Sequence, residues 1–120
     1  MKGMTENFFF ADLKDAVAVL IHAPAGKEDL LRQIYAGLKM PSEAGLNWDA
    51  LDEVLHDLSW IRQRDVVLLH SGFDALAGED LEIYAEILSS AARHWKGRRK
   101  HRLYSILPEK MREAVSSAGD

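Results

Sequence analysis

The segment PSEAGLNWDALDEVL, residues 41–55, lies inside a strongly acidic window of this chain. The window from Met40 to Ile61 holds five aspartate and glutamate side chains and no lysine or arginine, so its formal charge is −5. The whole chain carries −4, and the residues outside the window therefore sum to about +1. The acidity is local to this window and is not a general property of the chain.

The same segment has the pattern of an amphipathic helix that begins after Asn47. Asparagine is a favoured N-cap residue, because its side-chain oxygen accepts a hydrogen bond from the first helical turn. The apolar residues recur at the spacing of one helix face, which predicts that they point into a core: Leu51, Val54, Leu55 and Leu58. The opposite face is polar and consists of Asp49, Asp52, Glu53, His56 and Asp57. The sequence thus predicts a helix over 47–58 that displays a concentrated negative charge.

This acidic face has two interpretations. Like charges four residues apart, such as Asp49 with Glu53 and Glu53 with Asp57, destabilise an isolated helix by roughly 0.2–0.5 kcal/mol per pair. That cost favours a role for the carboxylates other than stability. Against this, Asp49 lies in the first turn, where the helix dipole stabilises an anion, and charged clusters are common on ordinary solvated surfaces.

Residues 41–55 resemble the signature of the barstar family, which comprises protein inhibitors of secreted, barnase-type microbial ribonucleases. The core of the resemblance is Gly45-x-Asn47-x-Asp49-Ala-Leu, followed two positions later by the acidic Glu53. The segments 57–60, 66–70 and 81–95 also resemble a barstar-related subgroup, and the resemblance as a whole spans residues 16–107. It implies a barstar-like α/β fold and an inhibitor that protects its own cell.

The resemblance also implies a partner and a contact surface. The partner is a basic microbial ribonuclease of the barnase type, bound one to one, in whose active site carboxylates take the positions of substrate phosphates. The residues that match family interface positions are Asp49, Glu53, Gly45, Asn47, Trp48, Asp52 and Trp60. Asp49 and Glu53 are the electrostatic anchors, and Glu53 takes the place usually held by Asp.

Some of these positions depart from the family or have a structural alternative. Glu43 and Ala44 stand where classical members have aromatic residues, and Asp52 stands where one has Trp, so apolar anchors are missing. Gly45 allows a close backbone approach or a positive φ angle. A turn and a cap explain the loop residues equally well, and a core position explains Trp60 equally well.

Composition predicts one soluble domain. With 120 residues and 48% hydrophobic residues, the chain can bury a single core, so we expect one domain over 1–120 with an extension at 1–15 and a tail at 108–120. Without cysteine, neither disulfides nor thiolate chemistry are available. No apolar run approaches the length of a membrane span, and no signal-peptide pattern follows Met1. We expect a cytoplasmic protein without a cofactor and without a membrane contact.

Apolar runs and helical spacings alternate along the chain. Strands are predicted over 16–22, 65–70 and 102–107, and helices over 28–39, 47–58, 71–77 and 79–95. On the last helix, the residues expected to line one side are Leu81, Tyr84, Leu88, Ala92 and Trp95, with Ile83, Ile87 and Ala91 beside them. Strands separated by helices imply parallel pairing. The fold class is therefore α/β, a small three-stranded parallel sheet packed with helices.

Three further features have weaker signals. Phe8–Phe10 is interpreted as an anchor on the core or as part of an oligomer contact. The basic run over 93–102 is interpreted as a solvated helix end. The less favoured alternatives are RNA contact and an intramolecular or subunit contact with the acidic helix, so direct nucleic-acid binding is not expected. No catalytic motif accompanies the pairs Asp52 with His56 or His70 with Ser71. The alternative to ribonuclease inhibition is a barstar-fold interaction or immunity module that binds a different basic protein.

Overall fold

The computed structural model describes residues 16–107, which form three strands and three helices. In chain order the elements are β1 (Ala16–Ile21), α1 (Lys27–Gly37), α2 (Trp48–Asp57), β2 (Asp65–His70), α3 (Gly78–Trp95) and β3 (Arg102–Ile106). The predicted α/β class is confirmed. The predictions made for Phe8–Phe10 and for the tail at 108–120 lie outside the described residues.

The sheet is entirely parallel, and β2 lies between β1 and β3. Val19 pairs with Leu68 and Leu20 with Leu69 in the first ladder, and Leu69 pairs with Ile106 in the second. Helices connect successive strands, as parallel neighbours require. Because the strand order follows the chain order, right-handed crossovers place every helix on the same face of the sheet.

One hydrophobic core fills the space between this face and the helices. The strand residues that point toward the helices belong to one buried cluster with helix residues: Val19, Ile21, Val66, Leu68 and Leu103 from the sheet, with Leu31, Ile34, Leu51, Leu55, Tyr84 and Leu88 from the helices. Burial of such side chains stabilises the fold by roughly 1.5–3 kcal/mol each. The four predicted inward residues of α2 are all buried, at no more than 7% exposure. The core therefore fixes which face of α2 is turned outward.

The predicted helix over 71–77 is wrong. These residues form an extended segment and a turn, in which the Leu76 N–H donates to the Phe73 carbonyl oxygen at 2.9 Å. Phe73 and Leu76 are both buried. So short a helix gains few hydrogen bonds for the cost of its first turn, and anchoring two apolar side chains in the core fixes this loop instead.

The helix α3 ends at Trp95 as predicted and begins one residue earlier than predicted, at Gly78. Ala92 is exposed, whereas the prediction placed it on the inward side; of the residues predicted beside that side, Ala91 is buried and Ile83 is exposed. Spacings of three and four residues are equally compatible with one helix face, and two adjacent alanines do not distinguish them. Gly97 follows the helix end as predicted, and its φ angle of 83° suits glycine.

Candidate functional site

The loop before α2 is attached to α1 and to the first turn of α2. The Tyr35 hydroxyl donates to the Gly45 carbonyl oxygen at 2.7 Å. Asn47 has extended backbone angles, and its Oδ1 accepts the backbone N–H of the residue three positions later at 2.8 Å. This is the N-cap that the sequence predicts. Ala44 and Leu46 pack, half-buried, against the core, so the loop holds its backbone in a fixed position.

Gly45 is required for space and not for a left-handed backbone. A Cβ atom at Gly45 would lie 2.6 Å from Nδ2 of Asn47, because the asparagine side chain folds back over the glycine. Within residues 16–107, the glycine with a positive φ angle is Gly97 and not Gly45. Of the two expectations for Gly45, a positive φ angle is wrong, and a close backbone approach to a partner stays a prediction.

Asp49 and Glu53 are exposed one turn apart on the outer face of α2. Neither side chain forms an ion pair with another residue in the described range 16–107. Their negative charges are therefore not neutralised by a neighbour in that part of the chain. Both carboxylates are accessible to a cationic group that approaches from solvent.

Asp52 differs from these two, because it is half-buried and has a neighbour on its own helix. The His56 Nδ1 lies 2.7 Å from the Asp52 carbonyl oxygen and 3.3 Å from its carboxylate oxygen Oδ1. The shorter contact identifies the backbone carbonyl as the principal acceptor for an Nδ1 proton. The His56 ring also lies 4.9 Å from the His94 ring of α3. Burial, then the charge of Arg98 and then His56, lower the pKa of His94.

Trp48 connects α2 to two other helices. Its half-buried indole stacks on Tyr84 of α3, with ring centroids 6.1 Å apart. The Lys27 Nζ at the start of α1 lies 5.7 Å from the Trp48 ring centroid, within the range of a cation–π interaction. The sequence predicts Trp48 as a partner-contact residue. In the structure its ring packs on Tyr84 and lies near the Lys27 ammonium group.

The far end of α2 is held by two side chains from the α3 side of the molecule. The buried Trp95 indole N–H donates to the Leu55 carbonyl oxygen at 2.8 Å. The fully buried His101 ring has its two nitrogens 3.0 Å from the carbonyl oxygens of Leu58 and Gln63. The Trp95 bond satisfies a carbonyl in the last turn of α2, which lacks a partner within the helix, and the His101 ring lies between the cap residue Leu58 and the loop that follows it. Both ends of α2 are therefore fixed to the rest of the domain.

A second acidic segment, not predicted from the sequence, lies in the loop over 71–77 and in α3. Residues 71–92 contain five carboxylates and no lysine or arginine: Asp74, Glu79, Asp80, Glu82 and Glu86. The contacts of Trp48 with Tyr84 and of His56 with His94 show that α2 and α3 run side by side in the same direction. The start of α2 thus lies beside Tyr84, in the second turn of α3, and the acidic first turn of α3 precedes this contact. The absence of lysine and arginine from residues 71–92 was the sequence signal that could have revealed this segment.

A family model for Barstar (barnase inhibitor) matches residues 15–107, from the start of β1 to the end of β3. The chain belongs to the barstar family. Neither the curated proteins nor the solved structures give a match. The barstar family is a family of ribonuclease inhibitors and not of enzymes.

Trp60 has a structural role in this barstar-family chain. It is half-buried, and its indole N–H donates to the carbonyl oxygen of Leu38, the residue that ends α1, at 2.9 Å. This bond connects the segment after α2 to α1. Trp60 also packs against the core. Its assignment as a partner contact stays a prediction, and any such contact uses the part of the ring that remains exposed.

The basic run occupies the opposite end of α3 from the acidic segment. Arg98, Arg99 and Lys100 are exposed, whereas His101 is buried beneath them. Exposure of this kind fits a solvated helix end. In the described part of the chain, no three potential metal-ligating side chains lie close enough to hold an ion, and no helix has the length and apolar character needed to span a membrane.

The adjacent residues His70 and Ser71 have separate structural partners. The buried His70 ring lies with Nδ1 3.1 Å from the Ile106 carbonyl oxygen and Nε2 2.6 Å from the Tyr84 hydroxyl. The Ser71 hydroxyl oxygen accepts the Ala23 N–H at 2.9 Å. Burial lowers the pKa of His70 to about 4, against the smaller opposing effect of the Ile106 carbonyl. His70 is thus a neutral, buried part of the core packing.

Proposed function

We propose that this barstar-family protein inhibits a secreted, barnase-type ribonuclease by placing α2 and the loop over 41–47 in its basic active-site cleft. The observation that carries the proposal is the pair of exposed Asp49 and Glu53 carboxylates, which form no ion pair within residues 16–107, on a helix whose two ends are fixed. A site that cleaves a phosphodiester holds its substrate with cationic side chains. Carboxylates at a suitable spacing are charge-assisted partners for those cations.

Within this proposal, Glu53 and Asp49 are the principal anchors, and Asp52 contributes a third negative charge beside them. Gly45 and Asn47 keep the loop backbone close to the partner, with Trp48 and Trp60 at the margins of the contact. Complementary charge also accelerates the encounter, and the acceleration decreases as salt increases.

The loop gives the proposal a specific expectation about the partner. Glu43 is exposed and Ala44 is half-buried, and both stand where classical members carry aromatic side chains. Without those rings, less apolar area is available to fill a pocket on the enzyme. We therefore propose a cognate ribonuclease whose surface opposite residues 43–44 is shallower or more basic than that of barnase. The complex is one to one, and the inhibitor resides in the cytoplasm of the cell that makes the enzyme.

The test is a titration of the protein into a barnase-type ribonuclease while RNA cleavage is followed. We expect stoichiometric loss of cleavage, with Glu53→Gln and Asp49→Asn each raising the inhibition constant by about 10- to 100-fold. This range corresponds to about 1.5–3 kcal/mol for a lost hydrogen bond to a charged group. Raising the salt concentration should weaken inhibition by wild-type protein more than inhibition by either variant.

Glu28→Gln is the matched control. Glu28 is an exposed carboxylate on α1 that forms an ion pair with Arg32 at 3.9 Å, and its replacement changes the net charge by the same amount. It should leave inhibition nearly unchanged. Neutralising Glu53 should not lower thermal stability, because it removes like-charge pairs on α2. If Glu53→Gln reduced inhibition and stability in parallel, a folding defect would replace the proposed direct contact.

The second candidate is a barstar-fold module that binds a basic protein other than a ribonuclease. The observation in its favour is the substitution pattern at residues 43, 44 and 52, where apolar anchors of the classical members are absent. Affinity capture with wild-type protein and with a Glu53→Gln and Asp49→Asn double variant distinguishes the two. Recovery of a non-nuclease by wild-type protein but not by the double variant would favour this candidate.

A further inference from the structure

The sheet has a second face that none of the described helices covers. Side chains at paired positions point to the same side of a parallel ladder, so this face carries alternate residues from each strand: Ala18 and Leu20 from β1, Val67 and Leu69 from β2, Tyr104 and Ile106 from β3. These six are apolar or aromatic, and at the strand starts the same face also carries Ala16, Asp65 and Arg102. The strand residues between them point into the core described above.

Exposure across this second face is uneven. Leu20, on the edge strand β1, is 56% exposed, whereas Val67, on the central strand, is only 2% exposed. Val67 nevertheless does not belong to the buried cluster that joins the sheet to the helices. Its burial on a face without a helix indicates that apolar groups cover the β2–β3 side of this face and leave the β1 edge open.

We propose that Phe8–Phe10, from the segment that precedes β1, cover this second face over Val67 and Leu69. The chain enters the sheet at Ala16, so five residues separate Phe10 from the first strand residue. Six residue steps reach about 20 Å when extended. The three strands, at about 4.8 Å spacing, are only about 10 Å across. The segment is therefore long enough to cross the sheet from β1 to β3.

The composition of the two ends of the chain favours this segment as the occupant. Three consecutive phenylalanines offer a compact aromatic surface, and an aromatic side chain buries about 150–250 Å². The tail over 108–120 has no aromatic residue, and its larger apolar residues, Met111 and Val115, are separated by charged ones. A second copy of the chain that covered this face would also bury Leu20 at the β1 edge. Leu20 is exposed, however, and the buried part of the face lies around Val67 on the central strand.

The chain offers a direct test on the unmodified protein by NMR. It contains four phenylalanines, and Phe73 lies in the core on the opposite face of the sheet, beside His70 and Tyr84. Selective labelling of phenylalanine rings and valine methyls should give nuclear Overhauser contacts between Val67 and rings of residues 8–10. These contacts should persist on dilution and be absent from an isotope-filtered experiment on mixed labelled and unlabelled protein.

A variant with Phe8, Phe9 and Phe10 all replaced by serine gives the second measurement. It should shift the Val67 methyl resonances and lower the melting temperature, while Met111→Ser with Val115→Ser, the matched control in the tail, should do neither. Contacts of Val67 with Met111 or Val115 would assign the cover to the tail and overturn the proposal. Contacts seen only between molecules would assign it to a second copy and overturn it equally. Absence of any contact from residues 8–10 to Val67 would also overturn it.

Discussion

Acidification should destabilise this domain through His70. The ring is buried at the end of β2, where Nδ1 faces the Ile106 carbonyl and Nε2 lies 2.6 Å from the Tyr84 hydroxyl. In the neutral ring, Nδ1–H donates to Ile106 and Nε2 accepts the Tyr84 proton, so both nitrogens have suitable partners. Burial raises the pKa of Tyr84, which keeps this hydroxyl a donor. Protonation of Nε2 would place a charge in the core and compete with that donor.

The sign and the size of the effect follow from the pKa of His70 in the two states. Burial lowers this pKa from 6.5 to about 4 in the folded protein. Between these values the unfolded chain binds more protons than the folded one, so the free energy of unfolding falls as the pH falls. The His70 contribution is fully present above about pH 6.5. At 1.36 kcal/mol per pKa unit, the loss between about pH 7 and pH 4 is about 3 kcal/mol.

The assay is urea unfolding at a series of pH values, for the wild type and for His70→Gln. Glutamine can donate to the Ile106 carbonyl and accept from Tyr84, but it does not titrate. Other groups titrate in both proteins, so the difference between the two stability curves isolates His70. Wild-type protein should lose about 3 kcal/mol more than the variant on going from about pH 7 to pH 4. Parallel curves for the two proteins would refute the assignment of His70 as a buried neutral ring.

Three further predictions concern the support of α2 and the packing of α1. Asn47→Ala removes the N-cap and should lower the free energy of unfolding by about 1 kcal/mol, measured by urea unfolding. Trp95→Phe leaves the buried Leu55 carbonyl without its donor and should cost about 1–3 kcal/mol in the same measurement. Gly37→Ala should destabilise by about 1–3 kcal/mol, despite the better helix propensity of alanine, because its Cβ would collide with the stiff Val19 side chain.

Each of these predictions has its own contradicting result. For Asn47→Ala, an unchanged midpoint of urea unfolding would show that the N-cap contributes nothing to stability. For Trp95→Phe, a loss of unfolding free energy below the expected range would mean that the Leu55 carbonyl finds another hydrogen-bond donor. For Gly37, the control is the same substitution in a Val19→Ala background, where space is available. Equal destabilisation in both backgrounds would rule out the collision as the cause.

The sequence predicted most of the elements because their signals are local. The apolar run of β2 was predicted with its observed bounds, Asp65–His70, and α2 was identified by the Asn47 cap and the spacing of its leucines. The loop over 71–77 was not predictable in this way, since the burial of Phe73 and Leu76 depends on partners distant in sequence. Nor could adjacent alanines reveal which of them faces inward.

Less of the candidate site could be predicted. That Asp49 and Glu53 are exposed follows from the helical spacing. The contacts that distinguish Asp52 from them, and those that join Trp60 to Leu38 and Trp95 to Leu55, link positions up to 40 residues apart. The spacing of four residues on one helix could have indicated the Asp52–His56 contact, but no local pattern encodes the contacts of Trp60 and Trp95. The role of each of these residues toward a partner stays a prediction.

The fixation of α2 at both ends has a kinetic consequence. Asn47 and the Tyr35–Gly45 bond hold its start, and Trp95 and His101 hold its end. A helix that is already ordered in the free protein pays little conformational entropy when it docks. The association rate should then be governed by diffusion and charge, and should be insensitive to the slow step of ordering a binding segment. Loosening either end, even at residues that never touch the partner, would slow association and shorten the lifetime of the complex.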